Sequence, residues 1–169
     1  MKNGIELFFL IGAAFISPYS VAHEKQHPVN IESTLRLEQK EWGIAASTLS
    51  ATKVIEVSMS DNMRFKPEFI KVRLGQTIRF KIHNKGAVLH EFVLGTKAEI
   101  ASHAELMKRF PDMEHDEPYM AHVPPGQIQQ LTWTFNREGE FQFACLMPGH
   151  FEAGMVGQVS VSKQKGNSK

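Results

Sequence analysis

The residues best equipped for chemistry lie close together near the C-terminus. Cys145 is the only cysteine of the chain, His150 follows five positions later, and Met155 comes five after that. Thiolate, imidazole and thioether are soft to borderline ligands, a set that suits copper moving between Cu(I) and Cu(II). A trigonal type 1 copper site uses two histidines, one cysteine and a long axial methionine. The stretch Cys145-Leu146-Met147-Pro148-Gly149-His150-Phe151-Glu152-Ala153-Gly154-Met155 supplies three of those four. His90 is the candidate for the fourth.

These side chains need elements that aim them at one point. Phe141, Phe143 and Cys145 share parity in the run Phe-Gln-Phe-Ala-Cys. That alternation predicts a strand with one buried face, at whose end Cys145 points inward. Pro148 and Gly149 force a turn that can bring His150 back over the sulfur, and Gly154 allows a second bend before Met155. His90 lies in Val88-Leu89-His90-Glu91-Phe92-Val93-Leu94 and shares parity with Phe92 and Leu94, so it too is predicted to face inward. His83 has the opposite parity to Ile78, Phe80 and Ile82 and is expected to face solvent, which removes it as a ligand. A lone cysteine is commonly an inert buried residue. The combined Cys-x4-His-x4-Met pattern, with an inward histidine 55 residues upstream, is far more specific.

At this point the chain resembles the cupredoxins, the family of plastocyanin, azurin and rusticyanin, and among them the CopI-type periplasmic copper-tolerance cupredoxins. The closer likeness is carried by Val57-Ser58-Met59-Ser60-Asp61-Asn62-Met63-Arg64-Phe65, Leu89-His90-Glu91-Phe92, Phe110-Pro111-Asp112-Met113-Glu114-His115 and Pro148-Gly149-His150-Phe151-Glu152-Ala153-Gly154-Met155-Val156-Gly157. The resemblance spans about residues 53 to 162. It implies one type 1 copper held by His90, Cys145, His150 and Met155. It also implies that the face around Met147 and His150, with Met63, is where a redox partner would dock. Many electron carriers of the family have asparagine after the first histidine, close to the cysteine. Here Glu91 stands in that position beside the site, which changes the expected redox tuning.

The rest of the chain fits that reading. Its 169 residues match one ordinary domain. A net charge of +1 gives no electrostatic case for nucleic acid. One cysteine excludes an internal disulfide. Lys2, the apolar run Leu7 to Ile16 and the small residues of Ser20-Val21-Ala22 read as a signal peptide over residues 1–22, cleaved after Ala22. The expected location is the periplasm, with no membrane attachment after cleavage. Residues 23–52 read as a polar extension beside the main domain, with a short helix expected within Ser33 to Ala46; His23 and His27 read as solvated. Residues 53–162 read as the β domain and 163–169 as a polar tail. Strands are expected from Lys53, at Phe69 to Arg73, at Gln76 to Asn84, through His90, at Gln127 to Phe135, before Cys145 and at Val156 to Val161. Thr96-x-x-Glu99 is a capping box, and Ile100, Ala104, Met107 and Phe110 follow at helical spacing, so a helix from Lys97 to Arg109 is predicted to interrupt the sheet. A polar loop is expected from Asp112 to Gly126. The whole predicts an all-β, Greek-key β-sandwich with one inserted helix.

The insert carries a second constellation: His103, Met107, Met113, His115, Met120 and His122. His103 and Met107 are four apart and share a helix face. Such a window would serve as a second, more exposed copper surface that collects or relays the metal. The plainer reading puts Met107 in the core, Met120 under the proline turn, and the histidines in solvent. A closed four-donor site leaves no position for a substrate. The expectation is therefore a protein without enzymatic activity, weak Cu(I) oxidation aside, that binds copper ions in copper tolerance. The alternative is a soluble periplasmic electron carrier.

Overall fold

Apolar side chains recurring every second residue require two sheets packed face to face, and that is the arrangement found in the computed structural model. It describes residues 38–111, 113 and 116–164. The segment read as a signal peptide, His23, His27, Asp112, Glu114, His115 and residues 165–169 lie outside the described residues. In chain order the strands are β1 (Gln39–Lys40), β2 (Gly43–Ala45), β3 (Lys53–Ser60), β4 (Arg64–Lys66), β5 (Phe69–Arg73), β6 (Thr77–Asn84) and β7 (His90–Gly95), then helix α1 (Lys97–Arg109), then β8 (Met120–Val123), β9 (Ile128–Thr134), β10 (Gly139–Ala144) and β11 (Val156–Ser162). One sheet has the order β1-β2-β9-β6-β3-β4 and the other β5-β11-β10-β7-β8. The pairs β3–β6 and β5–β11 are parallel; the others are antiparallel.

Three expectations are corrected here. The part of Ser33–Ala46 that is described forms strands rather than a helix, and Ile44 and Ala45 pair with Thr134 and Trp133. Trp42 and Ala45 are buried in the main core, so this segment completes a sheet edge. The expected loop from Asp112 to Gly126 contains β8, paired with β7 from Val93–Met120 to His90–Val123. His83 is half-buried rather than open to solvent. β6 is a central strand between β3 and β9, whose side chains shade its outer face.

The core between the sheets is aromatic. Phe143 stacks on Phe92 at 5.0 Å and meets Phe65 edge-on at 5.0 Å. Phe80 lies 5.3 Å from Phe92, and Trp42 lies 4.6 Å from Trp133. Ring pairs at these separations add to the burial of large apolar area. A second core lies on the outer side of the β7 sheet, where Ile100, Ala104 and Met107 of α1 cover Val93, Met120, Ala144 and Leu146. Phe110, expected on the same stripe, is largely exposed, because the helix has ended before it. With a layer on each side, every residue of β7 is buried.

The helix begins as expected. The Thr96 hydroxyl accepts from the Glu99 N–H, and the Glu99 carboxylate accepts from the Thr96 N–H at 2.8 Å. The same carboxylate oxygen also accepts from the Trp42 indole N–H at 2.9 Å, which ties the N-terminal edge to the insert. Glu99→Ala removes a cap and strands a buried indole N–H. It should lower stability by about 2 kcal/mol or more, read as a fall in the urea midpoint with an unchanged slope.

Candidate metal centre

Cys145 follows the last residue of β10 and is fully buried among Phe141, Phe143 and Met155. The chain then closes a tight loop by its own backbone. The His150 N–H donates to the Met147 carbonyl at 3.0 Å, the Met155 N–H to the His150 carbonyl at 3.0 Å, and the Cys145 N–H to the Met155 carbonyl at 3.1 Å. Gly154 sits at φ +88°, a conformation that side chains with a Cβ rarely adopt. Arg64 braces the loop from β4, its Nη1 donating to the Ala153 carbonyl at 2.9 Å.

His90 arrives from the opposite direction, at the start of β7. Asn84 shapes its approach. The buried amide donates to the Val88 carbonyl at 2.7 Å and the Val123 carbonyl at 2.8 Å, and accepts from the Gly86 N–H at 2.8 Å. Asp61, in the turn after β3, then fixes the ring. One carboxylate oxygen accepts from the Ala87 N–H at 2.7 Å, and the other lies 3.1 Å from His90 Nε2. The Ala87 N–H is the main reason the Asp61 carboxyl is held below its ordinary range. A carboxylate at Nε2 keeps the proton there and leaves the Nδ1 lone pair facing the cysteine. Gly86 makes room for this contact, since a Cβ there would lie 1.9 Å from Asp61 Oδ1.

The result is a tight donor cluster. His90 Nδ1 and His150 Nδ1 are 3.2 Å apart. Cys145 Sγ is 3.2 Å from His150 Nδ1 and 3.9 Å from His90 Nδ1. All three donor atoms lie within 4.8 Å of one another. Burial pushes the Cys145 thiol up to about 12, against the pull of the Glu91 and Met147 N–H groups. Burial, then the neighbouring His90, lowers the His150 imidazole. A thiol that is reluctant to ionise and a ring that is reluctant to protonate both gain from a soft cation placed between them. Met155 is fully buried in the same cluster as the sulfur.

Glu91 contributes differently from what its position suggested. Its backbone N–H donates to Cys145 Sγ at 3.3 Å. Its side chain turns to the outer face of the sheet, where it is buried and Oε1 lies 2.8 Å from His122 Nε2. The six residues of the second constellation are not gathered into one set. Met107, Met113, Met120 and His122 line one cleft, together with Glu91 and Met147. His103 lines a neighbouring cleft with Met113, and His115 is outside the described residues. Asp61, Asn84 and Arg64 were not singled out from the sequence. Asp61 and Arg64 had a signal only in the Asp61-to-Arg64 part of the resemblance, and Asn84 had none for a place at the site.

A β-sandwich that closes a His-Cys-His cluster at one end defines a class of copper proteins, and comparison agrees. The chain belongs to the plastocyanin/azurin family of copper binding proteins, which matches residues 51–162. Its relatives include two proteins named copper-resistant cuproprotein CopI. The one from Rubrivivax gelatinosus is 48% identical over 120 residues, 71% of this chain and 73% of that protein. The one from Pseudomonas aeruginosa is 36% identical over 149 residues, covering 71% of this chain and 82% of that protein. Among solved structures, the reduced auracyanin of Roseiflexus castenholzii is 22% identical, with a TM-score of 0.57 over 66% of this chain and 98% of its own. That likeness bears on the fold. Copper is thus the cofactor, and the His90–Cys145–His150 cluster fits one type 1 ion.

Asp61→Ala leaves His90 Nε2 without its acceptor, and Gly86→Ala drives the carboxylate away. Each should weaken copper retention about 10- to 100-fold, measured by competition with a chelator. Asp61→Asn should be milder than Asp61→Ala.

Proposed function

We propose that this protein would hold one type 1 copper through His90, Cys145 and His150, with the Met155 thioether as a fourth donor, and that it acts in copper tolerance in the periplasm. The observation that carries the proposal is the buried sulfur with two imidazole nitrogens within 4.8 Å of one another. The names of its relatives, copper-resistant cuproproteins, support the role in tolerance. Among the described residues no helix is long and apolar enough to cross a membrane, which is compatible with release into the periplasm.

Each residue has a definite task. Cys145 gives up its thiol proton to the medium and binds as thiolate. His150, lowered by burial, is neutral at pH 7 and presents Nδ1 without first losing a proton. Asp61 holds the His90 ring in register. The Phe143 and Met155 side chains keep water from the sulfur. Bound copper would supply one-electron redox chemistry. With four protein donors the site has no place for a substrate, so the role is binding and redox cycling rather than catalysis.

A second reading is a soluble electron carrier. It is favoured by the half-buried His150 and the partly buried Met147, whose carbonyl the His150 N–H meets. That edge would let a redox partner approach the metal.

Cu(II) added to the purified chain should give an intense thiolate-to-copper absorption that Cys145→Ser abolishes. A colourless wild type would refute the type 1 assignment. Deletion of the gene should cause copper sensitivity, rescued by wild type and not by Cys145→Ser. Normal growth across the copper series would favour the electron carrier instead. Because the Cys145 thiol is protonated at pH 7, copper uptake should release about one proton per ion, read as buffer-dependent heats in calorimetry.

A further inference from the structure

The outer face of β7 carries a feature that the type 1 site does not use. Glu91 is 1% exposed, a degree of burial that is costly for a carboxylate unless its oxygens are occupied. Oε1 meets His122 Nε2, but Oε2 is buried with no hydrogen-bond partner among the described residues. The carboxylate forms part of the wall of a cleft of about 970 Å³. Four methionines line the same cleft: Met107 from the last turn of α1, Met113, Met120 from β8 and Met147 from the ligand loop. Met120 and His122 lie on one face of β8, opposite Val93 and Glu91 of β7.

We propose that this cleft is a second, exchangeable binding site for Cu(I), separate from the type 1 cluster. The charge argument comes first. A buried carboxylate oxygen without a donor calls for a cation, and it repels anions. The donor types then choose the cation. Calcium and magnesium need several oxygens, whereas the cleft offers thioethers, one imidazole and one carboxylate. Thioether and imidazole donors select copper, with thioether favouring the cuprous state. The end of α1 adds to this, since the carbonyl end of a helix favours positive charge. Packing alone accounts for Met107 and Met120, which sit in an apolar cluster with Ile100 and Leu146. It does not account for a carboxylate in the wall.

The cleft and the type 1 cluster share a residue. Glu91 offers its side chain to one and its N–H to the sulfur of the other, 3.3 Å away. A cuprous ion in the cleft would be stored beside the type 1 site without displacing its ligands. The choice of copper as cargo rests on the tolerance reading, but the site itself stands or falls separately.

The test is an anaerobic titration of the purified full chain with Cu(I) buffered by a chromogenic chelator. Wild type, Cys145→Ser, Met107→Leu/Met120→Leu, and the three substitutions combined should be compared. Leucine conserves volume, so the core survives the exchange. Wild type should bind one more equivalent than Cys145→Ser. The equivalent left in Cys145→Ser should vanish in the combined variant. Met107→Leu/Met120→Leu should keep its thiolate-to-copper(II) absorption, which also reports that it is folded. Glu91→Gln in the Cys145→Ser background should weaken the remaining site about 10- to 100-fold. No Cu(I) bound by Cys145→Ser, or an equivalent that survives loss of both methionines, would overturn the proposal. Loss of the type 1 colour in wild type would instead strike the metal-centre reading and leave the cleft result standing.

Discussion

The structure depends on a single strand being buried on both faces. In β7 the side chains alternate, so His90, Phe92 and Leu94 enter the core between the sheets while Glu91 and Val93 lie beneath α1 and its following segment. Adjacent residues thereby serve different environments. His90 joins the donor cluster, and Glu91 reaches His122 on the far side. The connection between the two is one peptide unit, whose N–H rests on the Cys145 sulfur. Any shift in strand register by one residue would exchange these roles and empty the cluster.

Around that strand the donors come from two kinds of construction. The Cys145–Met155 loop is local, closed by short backbone bonds and bent at a glycine with positive φ. The His90 side is assembled from distant pieces: Asp61 from one turn, Gly86 and Ala87 from another, and Asn84 bridging to Val123 of β8. The first kind is coded by neighbours in the chain. The second depends on the whole sandwich having formed.

This division explains what could be read in advance. Alternation located β3, β5, β6, β7, β9, β10 and β11, and the Thr96–Glu99 box located α1, because each signal is local and repeats over several residues. The same parity argument turned Cys145 and His90 inward. It failed for β1, β2, β4 and β8, which are two to four residues long and give no period to detect. It failed for His83, because parity tells which face a residue takes and not how far neighbouring strands shade that face. Glu91 was noticed for its place beside His90, but its burial followed only once α1 and its following segment had covered the outer face. Asp61 could not be found by pattern at all, since its contact with His90 spans 29 residues and depends on a glycine leaving space.

The burial of Cys145 has a further consequence. The chain has one thiol, it is fully covered, and its tendency to ionise is suppressed. Disulfide exchange and peroxide attack both proceed through an accessible thiolate. The metal-free protein is therefore a poor substrate for oxidants and cannot readily cross-link to a second copy. The wall that would keep water from a bound metal also shields the sulfur from oxidants.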